Sequence, residues 1–210
     1  MSVIENIFKA YDVRGKVGSE LTPEVAATIG RAFADWLPDE GAVAVGRDMR
    51  PDSKELADAL IKGICEQGRD VIDIGEVTSD MIYFATGKLR LAGGVVITAS
   101  HNPGAYNGIK FCGKEARPVG QESGLFEIRD KVIADDFSQP SKPGTVTQKD
   151  VVEDWINHVL SFIDVDKLKP LHIAVDAGNG MAGKIFPELE PYVPFQVEEL
   201  YFELDGTFPN

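Results

Sequence analysis

The residues best placed to do chemistry form one run, Thr98-Ala99-Ser100-His101-Asn102-Pro103. It follows Gly94-Val95-Val96-Ile97, an apolar, β-branched run that reads as a buried strand. In open α/β sheets, ligands bind just outside the carboxyl ends of the strands, so a serine here can present its hydroxyl to a cleft. Pro103 fixes one torsion and restricts Asn102 before it, which stiffens the turn. His101, beside the serine, can steer a phosphate or donate a hydrogen bond. Two cations elsewhere suit the same chemistry. Arg14 offers a permanent charge with forked donors that match a phosphate. Lys110 is a compact cation shortly after the serine run. A serine hydrolase is disfavoured, because the G-x-S-x-G elbow is missing around Ser100. The nucleotide-binding G-x-x-x-x-G-K-[ST] pattern is missing too.

Strands and helices must alternate to hold these groups. Thr22-Pro23-Glu24 starts a helix that runs through Val25, Ile29, Phe33 and Trp36. Strands are expected at 42–45, 71–74 and 94–98, with helices from about 52 to 64 and from 81 to 89. Residues 108–119 read as a hairpin turning at Gly113-Lys114, and 122–134 as a helix. The expected fold is α/β, a layered mixed sheet with helices on both faces. Residues 1–137 form its first domain. The polar, turn-rich stretch 138–149 reads as a linker, and the alternation restarts over 150–210. This second unit holds about two strands and two helices, and is expected to be the beginning of a further domain.

Composition narrows the function classes. The 210 residues carry a net charge of −13, with 43% hydrophobic and 26% charged residues. Such an acidic chain is a poor candidate for nucleic-acid binding. No apolar run is long enough for a membrane span. Glu5 and Asp12, with no apolar h-region, argue against a signal peptide, so the cytoplasm is the expected location. Cys65 and Cys112 match no metal spacing and read as reduced, buried thiols.

Five segments together resemble the α-D-phosphohexomutases of the bacterial phosphomannomutase/phosphoglucomutase type. They are Tyr11-Asp12-Val13-Arg14-Gly15, Gly46-Arg47-Asp48-Met49-Arg50 with Ser53, the serine run, Asn107-Gly108-Ile109-Lys110-Phe111, and Val175-Asp176-Ala177-Gly178-Asn179-Gly180. The resemblance implies that Ser100 carries a phosphoryl group between hexose 6-phosphate and hexose 1-phosphate, through a bisphosphorylated sugar. It implies roles for Ser100, Lys110, Arg14 and His101 in transfer. Tyr11, Arg14, His101, Asn102 and Lys110 would bind substrate or phosphate. It also implies Mg²⁺, held by the phosphate on Ser100 and by an Asp-Gly-Asp-x-Asp-Arg loop, and hexose 1,6-bisphosphate as activator. That loop is absent, since Asp205-Gly206-Thr207 has only its first two letters. The chain is therefore expected to be the N-terminal portion of a longer enzyme, inactive alone and able to self-associate through its second unit. The alternative is a non-catalytic phosphate-binding module of the same fold. Arg47 and Arg50 flank Asp48 and read as partners in a structural ion pair. Asp176 to Gly180 reads as a structural loop, and Lys114 and Arg117 as exposed residues.

Overall fold

The structure is a computed structural model describing residues 3–210. In chain order it contains α1 (Val3–Ile7), β1 (Val13–Lys16), α2 (Pro23–Trp36), β2 (Val43–Arg47), α3 (Ser53–Glu66), β3 (Val71–Glu76), α4 (Ser79–Lys88) and β4 (Gly93–Ile97). There follow β5 (Tyr106–Gly113), α5 (Leu125–Ala134), β6 (Val146–Gln148), α6 (Val152–Leu160), β7 (His172–Asp176), α7 (Ala182–Leu189) and β8 (Gln196–Leu200). Six strands make one mixed sheet in the order β1-β5-β4-β2-β3-β6. β4, β2, β3 and β6 run parallel, while β5 is antiparallel to both β4 and β1.

Side-chain alternation sends each strand's residues to two cores. Val43, Val45, Val95, Ile97 and Phe111 pack with α2, α3 and α5. Ala44, Val96 and Cys112, one position out of phase, pack with α4 on the opposite face. Every residue of β4 is buried, as expected for a strand covered on both faces. Helix α2 begins where Thr22 Oγ1 accepts the Val25 N–H at 3.3 Å, with Pro23 in the first turn. Its Ile29 and Phe33 are fully buried, and the Phe33 ring lies 5.1 Å from that of Phe111.

One expectation is extended and one is corrected. The hairpin expected at 108–119 forms at its tip, where residues 111–113 pair with 117–119, and its first arm makes in addition a longer pairing across the serine run. β5 begins at Tyr106 and lies antiparallel to β4 from Ile97↔Ile109 to Gly93↔Gly113. Beyond Gly113 the chain makes a 3-10 turn with Glu115 and Ala116 at positive φ. Its return pairs back onto β5 around the bridge Cys112↔Pro118, with the Gly113 N–H donating to Arg117 O at 2.9 Å and the Val119 N–H to Phe111 O at 3.1 Å. Pro118 fits there because this is a non-hydrogen-bonded pair, where its missing N–H leaves no gap. The correction concerns the stretch expected to be a plain linker. It supplies β6, which pairs with β3 from Val71↔Val146 to Asp73↔Gln148. The cause is Asp70, whose Oδ1 accepts the Thr145 N–H at 2.7 Å and the Thr145 hydroxyl at 2.8 Å. All three β6 residues are exposed, so no hydrophobic pattern announced them.

The remaining elements are β7 and β8, a parallel two-stranded sheet, with α6 and α7. Val151 and Ile185, with the partly buried Val152 and Trp155, dock them onto the α4 core. Among the described residues no helix is long and apolar enough to cross a membrane. Cys65 is half-buried and Cys112 buried, and neither is in a disulfide.

Candidate functional site

The serine run is the connection from β4 to β5, at the carboxyl end of β4. β5 must approach both neighbours closely there. A Cβ on Gly108 would lie 2.5 Å from the Val13 carbonyl oxygen and 2.8 Å from that of Thr98, so only glycine fits. Within the run, Thr98 Oγ1 accepts the Ser100 N–H at 3.0 Å. Ala99 O accepts the Asn102 N–H at 3.0 Å and the Asn102 side-chain amide at 2.7 Å. Ser100 itself adopts the left-handed region, with φ of 53°. Such a conformation is costly for serine and persists only where surroundings enforce it. Ser100 is exposed, and its Oγ lies 3.3 Å from His101 Nδ1.

Three cations gather beside this loop. Asp12, just before β1, is nearly buried, and its Oδ2 accepts from Arg14 Nη2 at 2.7 Å and from Lys110 Nζ at 3.1 Å. One carboxylate therefore holds the two cations together, and Arg14 Nη1 reaches Asn102 Oδ1 at 3.4 Å. Arg14 keeps one buried N–H, at Nε, without a partner. Its side chain and that of Lys110 are still 30% and 26% exposed, which leaves both accessible to an anion.

The third cation is Arg50. Its guanidinium donates to four carbonyl oxygens of the serine run and its exit: Ser100 at 2.9 Å, Asn102 at 2.6 Å, Pro103 at 3.2 Å and Tyr106 at 3.0 Å. Asp48 Oδ2 lies 3.4 Å from Arg50 Nε, an ion-pair contact whose geometry is too poor for a hydrogen bond. Burial lowers the Arg50 pKa, and the neighbouring Asp48 opposes that shift. The other oxygen of Asp48 accepts from Ser53 Oγ at 2.5 Å and from the Arg50 N–H at 3.1 Å. Asn107 Nδ2 completes the network by donating to Ser53 Oγ at 2.9 Å.

The structure thus brings Ser100, His101, Asn102, Arg14 and Lys110 into one cluster. Tyr11, next to Asp12 in the chain, is 81% exposed. Arg50 pairs with Asp48 as expected. Arg47 does not: its partner is Glu76, at 3.7 Å, which also takes Lys184 at 3.2 Å. Arg47 ends β2 beside Glu76 at the end of β3, and that register decides its partner. Lys114 and Arg117 are exposed and pair with Asp39 and Glu115. Asp176 to Gly180 is a structural loop. Asp176 Oδ1 accepts the Gly178 N–H at 2.8 Å, and Asn179 Nδ2 donates to Glu203 O at 2.9 Å. Sequence reasoning passed over Asp12 as the joint partner of Arg14 and Lys110, and over Arg50 as the loop's anchor. The available signal was an acid two residues before a cation, with a lysine on the neighbouring strand.

A cleft of about 200 Å³ opens beside Ser100, lined by Asp48, Thr78, Thr98, Met181 and Phe208. The Thr78 hydroxyl is buried there without a partner. Among the described residues no group of three or more His, Cys, Asp or Glu gathers as metal ligands. Asp12 and Asp48, the carboxylates that hold the cations beside the serine run, are both engaged by those cations. These residues do not make a Mg²⁺ site among themselves.

Comparison with known proteins agrees with this geometry. A family model described as phosphoglucomutase/phosphomannomutase, alpha/beta/alpha domain I, matches residues 5–139. "Phosphohexose mutases" of Xanthomonas campestris pv. campestris is 44% identical over 203 residues, covering 97% of this chain and 45% of that protein. A "Phosphomannomutase" of Vibrio cholerae is 38% identical, covering 97% of this chain and 46% of the relative. The chain spans about half the length of the curated relatives it matches. A solved phosphoglucomutase/phosphomannomutase family protein from Burkholderia thailandensis superposes with a TM-score of 0.89 at 33% identity, covering all of this chain and 46% of that one. With a family match over most of the chain and the same fold in a solved relative, this chain belongs to the phosphoglucomutase/phosphomannomutase family.

Proposed function

We propose that the protein is a phosphohexomutase in which Ser100 carries the phosphoryl group between the 6- and 1-positions of a hexose phosphate. The observation that carries this reading is the exposed Ser100 hydroxyl, set at the end of β4 beside Arg14, Lys110 and Arg50. Phosphoryl transfer needs positioning and positive charge more than covalent help from the protein, and this cluster offers both. In the forward half-reaction the Ser100 Oγ–phosphorus bond breaks and a bond from a sugar hydroxyl oxygen to phosphorus forms. The sugar hydroxyl loses its proton to a base. The sugar bisphosphate turns over, and its other phosphoryl group returns to Ser100 Oγ with a proton left on the freed sugar oxygen. Arg14 and Lys110 offset the spread negative charge on the equatorial phosphoryl oxygens. His101 Nδ1, beside Ser100 Oγ, can take up or supply that oxygen's proton when the serine is bare. Mg²⁺ belongs to the proposal for the whole protein, and no step here is routed through it.

The test is a coupled assay for hexose 1-phosphate to hexose 6-phosphate turnover. It is run on this chain alone and on this chain mixed with the separately purified C-terminal half of the Xanthomonas relative. Turnover in the mixture, abolished by Ser100→Ala, supports the reading. Equal turnover with Ser100→Ala contradicts it.

A further inference from the structure

We infer that Arg50 is a positioning residue for Ser100, and that Phe208, far along the chain, controls how firmly Arg50 holds it. The inference rests on the reading above, that Ser100 is the phosphoryl carrier. Arg50 is buried, its side chain only 1% exposed, so it cannot meet a substrate in the cleft directly. What it touches is backbone. Its four donated hydrogen bonds end on carbonyls spread across residues 100 to 106. One of them is the carbonyl of Ser100, whose N–H is fixed from the other side by Thr98 Oγ1. The left-handed conformation of Ser100 is therefore clamped at both of its peptide groups. A lysine could not replace this hold, because its single ammonium lacks the planar fork that reaches several acceptors at once.

The open face of the guanidinium is covered from residues 205–208. The Phe208 ring centroid lies 4.8 Å from the Arg50 guanidinium carbon, a cation–π contact. The segment reaches this position by lying flat on the Arg50 backbone. A Cβ on Gly206 would sit 2.6 Å from Pro51 Cδ, 2.7 Å from Arg50 Cα and 3.0 Å from Met49 O. Only glycine allows that approach. The turn is set by Asp205, whose Oδ1 accepts the Thr207 N–H at 2.9 Å and the Thr207 hydroxyl at 2.7 Å. Asp205 N–H donates in turn to Asn179 O at 3.0 Å, which ties the turn to the Asp176–Gly180 loop. A continuous line of contacts therefore runs from that loop through Gly206 and Phe208 to Arg50 and on to Ser100. Two sequence features with no chemistry of their own, the Asp176–Gly180 loop and the Asp205–Phe208 turn, gain a role as the support of the serine loop.

The experiment uses this chain mixed with the C-terminal half of the Xanthomonas relative, with two readouts. The first is the rate of phosphate appearance on Ser100 from a hexose 1,6-bisphosphate, followed by intact mass. The second is amide hydrogen exchange over residues 98–106. Arg50→Ala slows phosphorylation by about 100-fold, the scale of a misplaced reacting group. Added guanidinium restores part of the rate; ammonium does not, and Arg50→Lys gives no rescue. Gly206→Ala, which lifts Phe208 away and touches no reacting group, slows phosphorylation by about tenfold and speeds exchange in the loop. Full activity in Arg50→Lys, or no guanidinium effect on a folded Arg50→Ala protein, overturns the positioning role. Should Arg50→Ala fail to fold, Gly206→Ala and Phe208→Leu decide: loop exchange and phosphorylation at wild-type rates overturn the inference. A wild-type protein that takes no phosphate on Ser100 sinks the carrier reading instead, and loop exchange in the same variants then decides the brace alone.

Discussion

The six-stranded body and the β7-β8 region are built from the same kinds of element but bury them differently. β2 and β4 are buried almost throughout, because helices cover both faces of their sheet. β7 alternates exposed and half-buried residues, and β8 is mostly exposed. The body's core draws on every one of its longer helices, whereas Ile156 and Ile185 are the buried hydrophobic residues of 152–210 among those described. A two-stranded sheet has little independent stability, so this region depends on its docking to α4. The difference teaches where rigidity is needed. Ser100, Arg14 and Lys110 are all mounted on the body, whose packing fixes them. The β7-β8 region reaches the site through a turn that lies on Arg50.

The largest effect that can break this comparison is a core deletion. Phe33→Ala should cost about 3–5 kcal/mol in denaturant unfolding. Phe162→Ala, at a residue 73% exposed, should change stability by no more than about 0.5 kcal/mol. Similar costs at the two positions would mean that the regions are equally packed. Amide exchange sharpens the point: β4 should exchange near the global unfolding limit, and β7 and β8 well before it.

The next effect separates stability from chemistry. Lys110→Ala and Arg14→Ala, assayed in the mixture with the relative's C-terminal half, should each lower turnover by about 100-fold or more while moving the unfolding midpoint little. Loss of stability without loss of turnover would make the Asp12 cluster a structural ion network of the body.

The body's architecture was readable because its helices and buried strands carry clear periodicity, as with the Ile29 and Phe33 stripe of α2 and the β-branched run of β4. β6 was hidden because its three residues are all exposed and are held by one Asp70 carboxylate. The 108–119 hairpin was legible at its tip, but the longer pairing of its first arm with β4 was not, because that pairing is made across the serine run. At the site, Ser100, His101, Asn102, Arg14 and Lys110 were legible from residue type and order. The joint role of Asp12, and the Arg50 hold on residues 100 to 106, depend on contacts across as many as 98 positions of chain. No local spacing encodes those contacts. The partner of Arg47 was misjudged for the same reason, because strand register places Glu76 beside it.

A smaller effect concerns pH. Asp35, on α2, binds Lys131 of α5 at 2.6 Å and also accepts from Ser138. Burial alone would raise its pKa, but the bonds from Lys131 and Ser138 outweigh it and hold the carboxyl below its ordinary value of 3.8. A group depressed in this way contributes stability above its unfolded pKa, and that contribution is lost as pH falls through the folded value. Thermal melting between about pH 5 and pH 2 should therefore fall less steeply in Asp35→Asn than in wild type. Equal slopes would show that the α2–α5 bridge adds nothing to the body's stability.

The central claim is that Ser100 carries phosphate. The most direct test is incubation with a hexose 1,6-bisphosphate in the presence of the relative's C-terminal half, followed by peptide mass mapping. The account predicts one phosphate, on the peptide containing Ser100, absent from Ser100→Ala and removed when excess hexose monophosphate is added. Phosphate found reproducibly on another serine, with Ser100 bare, would contradict it.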